Sequence, residues 1–299
     1  MTDTLSYPRY SGDVYRPPSE ANSLILQVMY GCSYGDCAFC GMYKNKPFRV
    51  RPSAEVREDI LNLSPGLKRA VTKVFLADGD ALVLPVRSLA ATLDLLAAEL
   101  PHVRRVSAYA NAHSLLKKSP EALREIREHG LEMLYLGLES GDEETLASMG
   151  KGVTVAEQIE GCRKAKEAGF RLSIMAILGL GGVERSLEHA RGTGRALSAI
   201  DPGFISMLSL MLTSGAPLAE SVARGEFVIP DALGILRELR EIIAETNVTK
   251  AVFRTTHASN YLQLEGTLPD DKPETLAVID RVLAMGDAAP LRPDWLRGL

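Results

Sequence analysis

The chain of 299 residues has little cysteine, a single tryptophan and no long apolar run. No hydrophobic stretch approaches the roughly 18 residues that a membrane helix needs, so no membrane partner is expected. The N-terminal MTDTLSYPRYSGDVYRPPSE is polar, carries several Tyr and Pro, and lacks an apolar signal core; a cytoplasmic location is the expectation. Neither sign of charge dominates, with 34 Lys and Arg against 38 Asp and Glu. Without a basic stripe, nucleic acid is not expected as a partner. One small basic group, Lys44, Lys46, Arg49 and Arg51, reads either as a solvated face or as an anion clamp. A reducing compartment disfavours disulfides, which leaves a metal or redox role for any clustered thiols.

What is present is an alternation. Short apolar runs at SLILQVMY (23–30), TKVFLAD (72–78), RRVSAYAN (104–111), LEMLYLGLE (131–139), RLSIMAILGLGG (171–182) and FISMLSLMLT (204–213) read as strands. Amphipathic stretches at 52–63, 85–100, 119–130, 154–169, 184–199 and 230–246 read as helices. This makes six β-then-α units, or seven if TKAVFRT (249–255) is a strand before a helix near 271–285. The nearly continuous apolar runs suit a parallel sheet buried on both faces. The units share no self-similar sequence, which excludes a solenoid. Such a repeat closes as a complete or partial barrel, or opens as a doubly wound sheet. In each, functional groups gather at the C-terminal ends of the strands.

Those ends carry polar residues and glycines: the cysteine loop, Asp78-Gly79-Asp80, Asn111, Glu139-Ser140-Gly141, Gly179 to Gly182, and Arg254 to Tyr261. Individually they pass as turn residues. The loop CSYGDCAFCGMYK does not, because three of the four cysteines, Cys32, Cys37 and Cys40, fall within nine residues. A structural zinc site closes with four ligands, usually as two separated pairs. Cys162, the remaining cysteine, lies mid-helix and far along the chain, where a small packing residue is expected. A four-iron cluster also takes four ligands. Three thiolates therefore leave one position open, the mark of a reactive site rather than a structural one.

These residues resemble the radical SAM superfamily, whose mark is a three-cysteine loop after the first strand of a complete or partial (β/α) barrel. Cys37-Ala38-Phe39-Cys40 fits the CxxC half with its aromatic, while the first gap holds four residues where three are commonest. GLESGDEETLASMGKG (137–152) is similar to the branch containing methylthiotransferases and oxygen-independent coproporphyrinogen oxidase. The resemblance implies an α/β fold of the partial (β/α)6 TIM-barrel type. An N-terminal arm (1–22), a barrel core (23–215) and a C-terminal helical extension (216–299) are expected. It implies a [4Fe–4S] cluster on Cys32, Cys37 and Cys40, with its fourth iron chelated by S-adenosylmethionine. Reductive cleavage would give a 5′-deoxyadenosyl radical that abstracts hydrogen from, or adds to, a small-molecule substrate.

By the same resemblance Asp78, Gly79 and Asp80 stand where a GGE-like motif meets the methionyl amine. Glu139 and Ser140 approach the ribose and carboxylate, and Lys151 pairs with that carboxylate. Phe39 lies against adenine, Ile177 and Gly179 pass their backbone beside it, and Asn111 is a further cofactor contact. An external electron donor such as flavodoxin or ferredoxin is implied. No second cysteine cluster is present, which argues against sulfur insertion. On the substrate side, Arg254 could hold a carboxylate or phosphate and His257 could shuttle a proton, with Asn260 and Tyr261 beside them. The alternative for these four is a polar network tying down the C-terminal segment. An electron carrier or a zinc protein remains the alternative to an enzyme.

Overall fold

The computed structural model describes residues 7–213, 215–286 and 291–298. The chain divides into two compact units. The first comprises Met1–Gly35, Met42–Leu136 and Gly161–Leu172; the second comprises Asp36–Gly41, Gly137–Glu160 and Ser173–Leu299.

In the first unit, β1 (Leu24–Gln27) is followed by β2 (Met29–Tyr30) and β3 (Arg49–Val50), then α1 (Ser53–Leu61) and α2 (Pro65–Ala70). Next come β4 (Lys73–Ala77), α3 (Val86–Glu99), β5 (Arg105–Ala110), α4 (Ala112–Lys117) and α5 (Pro120–Glu128). β6 (Leu131–Glu139) carries the chain into the second unit. β1, β4, β5 and β6 pair in that order, all parallel.

The run 23–30, expected as one strand, is two. Val28 still donates to Ala77 O at 2.6 Å, but Met29 and Tyr30 leave to pair antiparallel with Val50 and Arg49. The kink places Gly31 and Cys32 beside the end of β4, where Gly79 N donates to Gly31 O at 3.0 Å. Leu89, Leu93 and Leu96 of α3 are all buried and lie on one helical face. Ser119 caps α5 by accepting from Ala122 N, with Pro120 at its first position.

In the second unit, α6 (Glu143–Ser148) follows β6. α7 (Val155–Glu167) and β7 (Arg171–Leu178) each run across the division of the chain. Then come α8 (Ser186–Ile200), β8 (Phe204–Ser209), α9 (Pro217–Ala223), α10 (Ala232–Glu245), β9 (Ala251–Arg254), β10 (Glu265–Leu268) and α11 (Lys272–Met285). β7, β8 and β9 are parallel, so the seventh parallel strand exists. β10 was not anticipated; it pairs antiparallel with β9 and is half exposed, so it lacks the apolar run that marks the others. The short helices α2, α4 and α9 were also missed, because six or seven residues are too few to show a helical period. Among the described residues no helix is long and apolar enough to cross a membrane.

Candidate functional site

Around Cys32 the first unit builds a hydrogen-bonded base. Asp78 is fully buried, and its Oδ2 accepts from Gly31 N at 3.0 Å and pairs with Lys46 Nζ at 2.7 Å. Its Oδ1 accepts from Gln27 Nε2 at 2.9 Å. Both oxygens thus serve to hold the loop in place. Gly79 packs closely here: a Cβ would lie 3.1 Å from Cys32 Cβ and 3.2 Å from Gly31 O.

Asp80 differs. Its Oδ2 accepts from Ser33 Oγ at 2.7 Å and Ser114 Oγ at 2.5 Å, and Oδ1 is buried. Burial pushes its pKa up to about 6, against the opposing bonds from Ser114, Ser33 and the backbone N–H groups of Asn111 and Leu82. Asn111 joins the same network, donating from Nδ2 to Ser33 Oγ at 2.9 Å and capping α4 through Ser114 N. The Cys32 thiol donates to Tyr34 O at 2.9 Å, and Tyr34 stacks on His113 with centroids 4.7 Å apart.

In the second unit, the short segment Asp36–Gly41 is held by its backbone. Ala38 N donates to Met149 O, and Leu218 N donates to Ala38 O, both at 2.9 Å. Cys40 N reaches Cys37 O at 3.3 Å, closing a turn between the two thiols. Phe39 and Ile177 pack against one cluster of Met149, Leu180, Leu210 and Leu218. Two residues assigned to the adenine by resemblance therefore meet on one apolar surface.

Glu139 sits at the end of β6 with φ 62°, a strained left-handed backbone for a non-glycine residue. Its carboxylate folds back over Gly137, where a Cβ would lie 1.8 Å from Oε1, and pairs with Lys151 Nζ at 3.0 Å. The pair foreseen as two cofactor contacts is thus also a contact with each other. Ser140 is buried, accepting from Asp142 N at 3.0 Å and bonding His189 Nδ1 at 2.7 Å. Gly179, with φ 84°, donates its N–H to Glu238 Oε1 at 2.5 Å.

Each of the four substrate-side candidates has partners within the protein. Arg254 pairs with Glu265 across β9 and β10 at 2.8 Å. Asn260 is buried; it accepts from Ser209 Oγ and donates to Met207 O and Thr255 O. His257 bonds Ser259 Oγ at 2.9 Å, and burial lowers its pKa. Tyr261 donates to Asp294 at 2.7 Å; burial and then Asp294 push its pKa up to about 12. Arg297 completes the network by donating to Ser259 O and Leu210 O.

The basic group of 44–51 resolves into separate roles: Lys46 clamps Asp78, and buried Arg51 pairs with Asp59 at 2.8 Å. Cys162 is buried, which pushes its thiol up to about 12 and suits a packing residue. None of the four cysteines is in a disulfide. Among the described residues no three His, Cys, Asp or Glu side chains are gathered as a metal site; the case for the cysteines rests on spacing and on kinship. Ser114, His189 and Glu238 escaped the sequence reading, and Gly137 entered it only through its place in GLESG.

A family model described as the Radical SAM superfamily matches residues 26–191. Solved structures share the fold at low identity. Methylornithine synthase aligns with TM-score 0.52 and 19% identity over 75% of this chain and 63% of that one. Coproporphyrinogen III oxidase from Escherichia coli gives 0.53 and 18%, over 75% and 52%. The radical S-adenosylmethionine methyltransferase TsrM from Kitasatospora setae, with cobalamin and a [4Fe–4S] cluster bound, gives 0.56 and 18%, over 75% and 44%. The chain therefore spans less than two thirds of the length of each of these. Among curated proteins none matches.

Proposed function

Because the chain belongs to the radical SAM superfamily, matched over more than half its length, we propose that it is an enzyme acting by radical chemistry on a small molecule. The cofactors of the family are a [4Fe–4S] cluster and S-adenosylmethionine, and its members need a substrate and a reductant. The observation that carries the reading is the loop of Cys32, Cys37 and Cys40 directly after the first parallel strand. When bound, the two cofactors supply a 5′-deoxyadenosyl radical for hydrogen abstraction or addition.

The residues present fit this pair. Three thiols are soft donors suited to iron. Asp78 and Asp80, buried carboxylates on either side of Gly79, are the acceptors offered to the methionyl amine. Gly79 keeps the chain close to Cys32. Phe39 and Ile177 offer an apolar surface for the adenine, with Gly179 beside it. Glu139 and Lys151 present one acceptor and one donor of opposite charge, suited to a ribose hydroxyl and a carboxylate. Asn111 and Ser140 act through the turns they hold. The arm (1–22), core (23–215) and extension (216–299) serve as strap, chemistry and closure in this reading. A flavodoxin or ferredoxin is the class of donor, and the cytoplasm is the compartment that supplies it.

Anaerobic reconstitution tests the proposal. A cluster signal in electron paramagnetic resonance that changes on adding S-adenosylmethionine, with 5′-deoxyadenosine formed under dithionite, is expected. Zinc at one equivalent and no iron in protein purified without oxygen would sink it.

A further inference from the structure

Two segments of the second unit that the proposed function assigns to the cofactor are the turn Glu139–Gly141 and the turn beginning at Gly179. They lie 40 residues apart in sequence. Both are anchored to the same two buried side chains, neither of which has a place in any motif. His189 of α8 bonds Ser140 Oγ through Nδ1 at 2.7 Å, and its Nε2 stands 3.3 Å from Glu238 Oε1. Glu238 of α10 accepts from Gly179 N at 2.5 Å through Oε1 and from Ser186 Oγ at 2.7 Å through Oε2. His189 and Glu238 are fully or almost fully buried.

The backbone reinforces the link. A Cβ on Gly141 would lie 2.2 Å from Gly192 O, and one on Gly181 would lie 2.8 Å from His189 Cβ. Gly141 N donates to Thr193 Oγ1 at 3.0 Å. The first half of α8 is therefore pressed directly against both turns, with no room for a side chain.

A carboxylate and an imidazole without other purpose are costly to bury, since each must be compensated. Apolar residues would pack α8 on α10 at lower cost. We propose that His189 and Glu238 are positioning residues that hold the Glu139–Gly141 and Gly179 turns in register for S-adenosylmethionine; this rests on the reading of the site above. The chemistry of the relay is specific. Nε2 faces the Glu238 carboxylate without hydrogen-bond geometry, while Nδ1 and the Ser140 hydroxyl share one hydrogen bond. Ser140 Oγ also accepts from Asp142 N–H, so the hydroxyl that holds the turn is fixed from two sides. Glu139, one residue earlier and strained, has its direction set by the same anchor.

The test uses reconstituted holoprotein and three variants. His189→Phe fills the space, removes the bond to Ser140 and takes the imidazole away from Glu238. His189→Asn restores a hydrogen-bond partner for Ser140 through its side-chain amide, and Glu238→Gln keeps shape while removing the charge. At matched iron content, His189→Phe is expected to weaken S-adenosylmethionine binding at least about tenfold, read from titration of the cluster signal. His189→Asn recovers most of that loss, and Glu238→Gln falls between. Melting temperatures of the apo forms report stability separately. If the variants lose only melting temperature and bind the cofactor as wild type does, the inference is overturned while the proposed function stands. If the wild type itself shows no response to S-adenosylmethionine, both fall. Should His189→Phe not fold, Glu238→Gln and His189→Asn still decide the outcome, because unchanged affinity in both overturns the inference.

Discussion

At the scale of single residues, the four cysteines separate cleanly. Cys37→Ala is expected to abolish cluster binding and leave a folded chain, seen as loss of iron with an unchanged circular dichroism spectrum. Cys162→Ala is expected to retain the full iron content, since its thiol is buried within α7; loss of iron there would overturn the three-ligand reading. Asp80 gives a dependence on pH. Its folded pKa of about 6 lies above its ordinary 3.8, so the folded chain binds that proton more tightly. The contribution therefore favours folding at low pH and is lost as pH rises from about 4 to about 6. Relative to Asp80→Asn, the apo wild type should lose on the order of 1–3 kcal/mol across that window, measured by urea unfolding. An unchanging difference would mean the carboxyl titrates normally.

At the scale of elements, the turn after β6 shows how a local signal is used. Asp142 caps α6 by accepting from Thr145 N at 3.0 Å, and Arg185 pairs with both its oxygens at 2.9 Å. Asp142→Ala should cost about 1–2 kcal/mol of stability by thermal unfolding, mostly the cap. The crossing of Gly141 and Gly192 is less forgiving, since a Cβ on Gly192 would lie 2.4 Å from Gly141 O. Gly192→Ala is expected to destabilise by roughly 1–3 kcal/mol, because a helix must shift to admit one methyl. That α8 begins near 186 was visible in the sequence as an amphipathic stretch. That its glycine exists for contact with a turn 51 residues earlier was not, since nothing local distinguishes it from an unfavourable helix residue.

For the molecule as a whole, cofactor binding and stability are linked. A ligand that binds only the folded state at 100 times its dissociation constant stabilises by about 2.7 kcal/mol. Anaerobic thermal scans of cluster-loaded protein should therefore rise with added S-adenosylmethionine, and a flat response would count against a site. The parallel α/β repeat, the three-cysteine loop and the glycine-marked strand ends follow from the sequence alone. Each is a short-range pattern: a run of apolar residues, a spacing of thiols, a residue that tolerates unusual backbone angles. How Asp78 and Asp80 are held was decided only by the tertiary structure, through Lys46, Gln27, Ser33 and Ser114. So were the partners of Asn260 and Tyr261, and the burial of His189 against Glu238. Hydrogen-bond capacity is spent on whichever partners the fold brings near, and those partners stand tens of residues away in the chain.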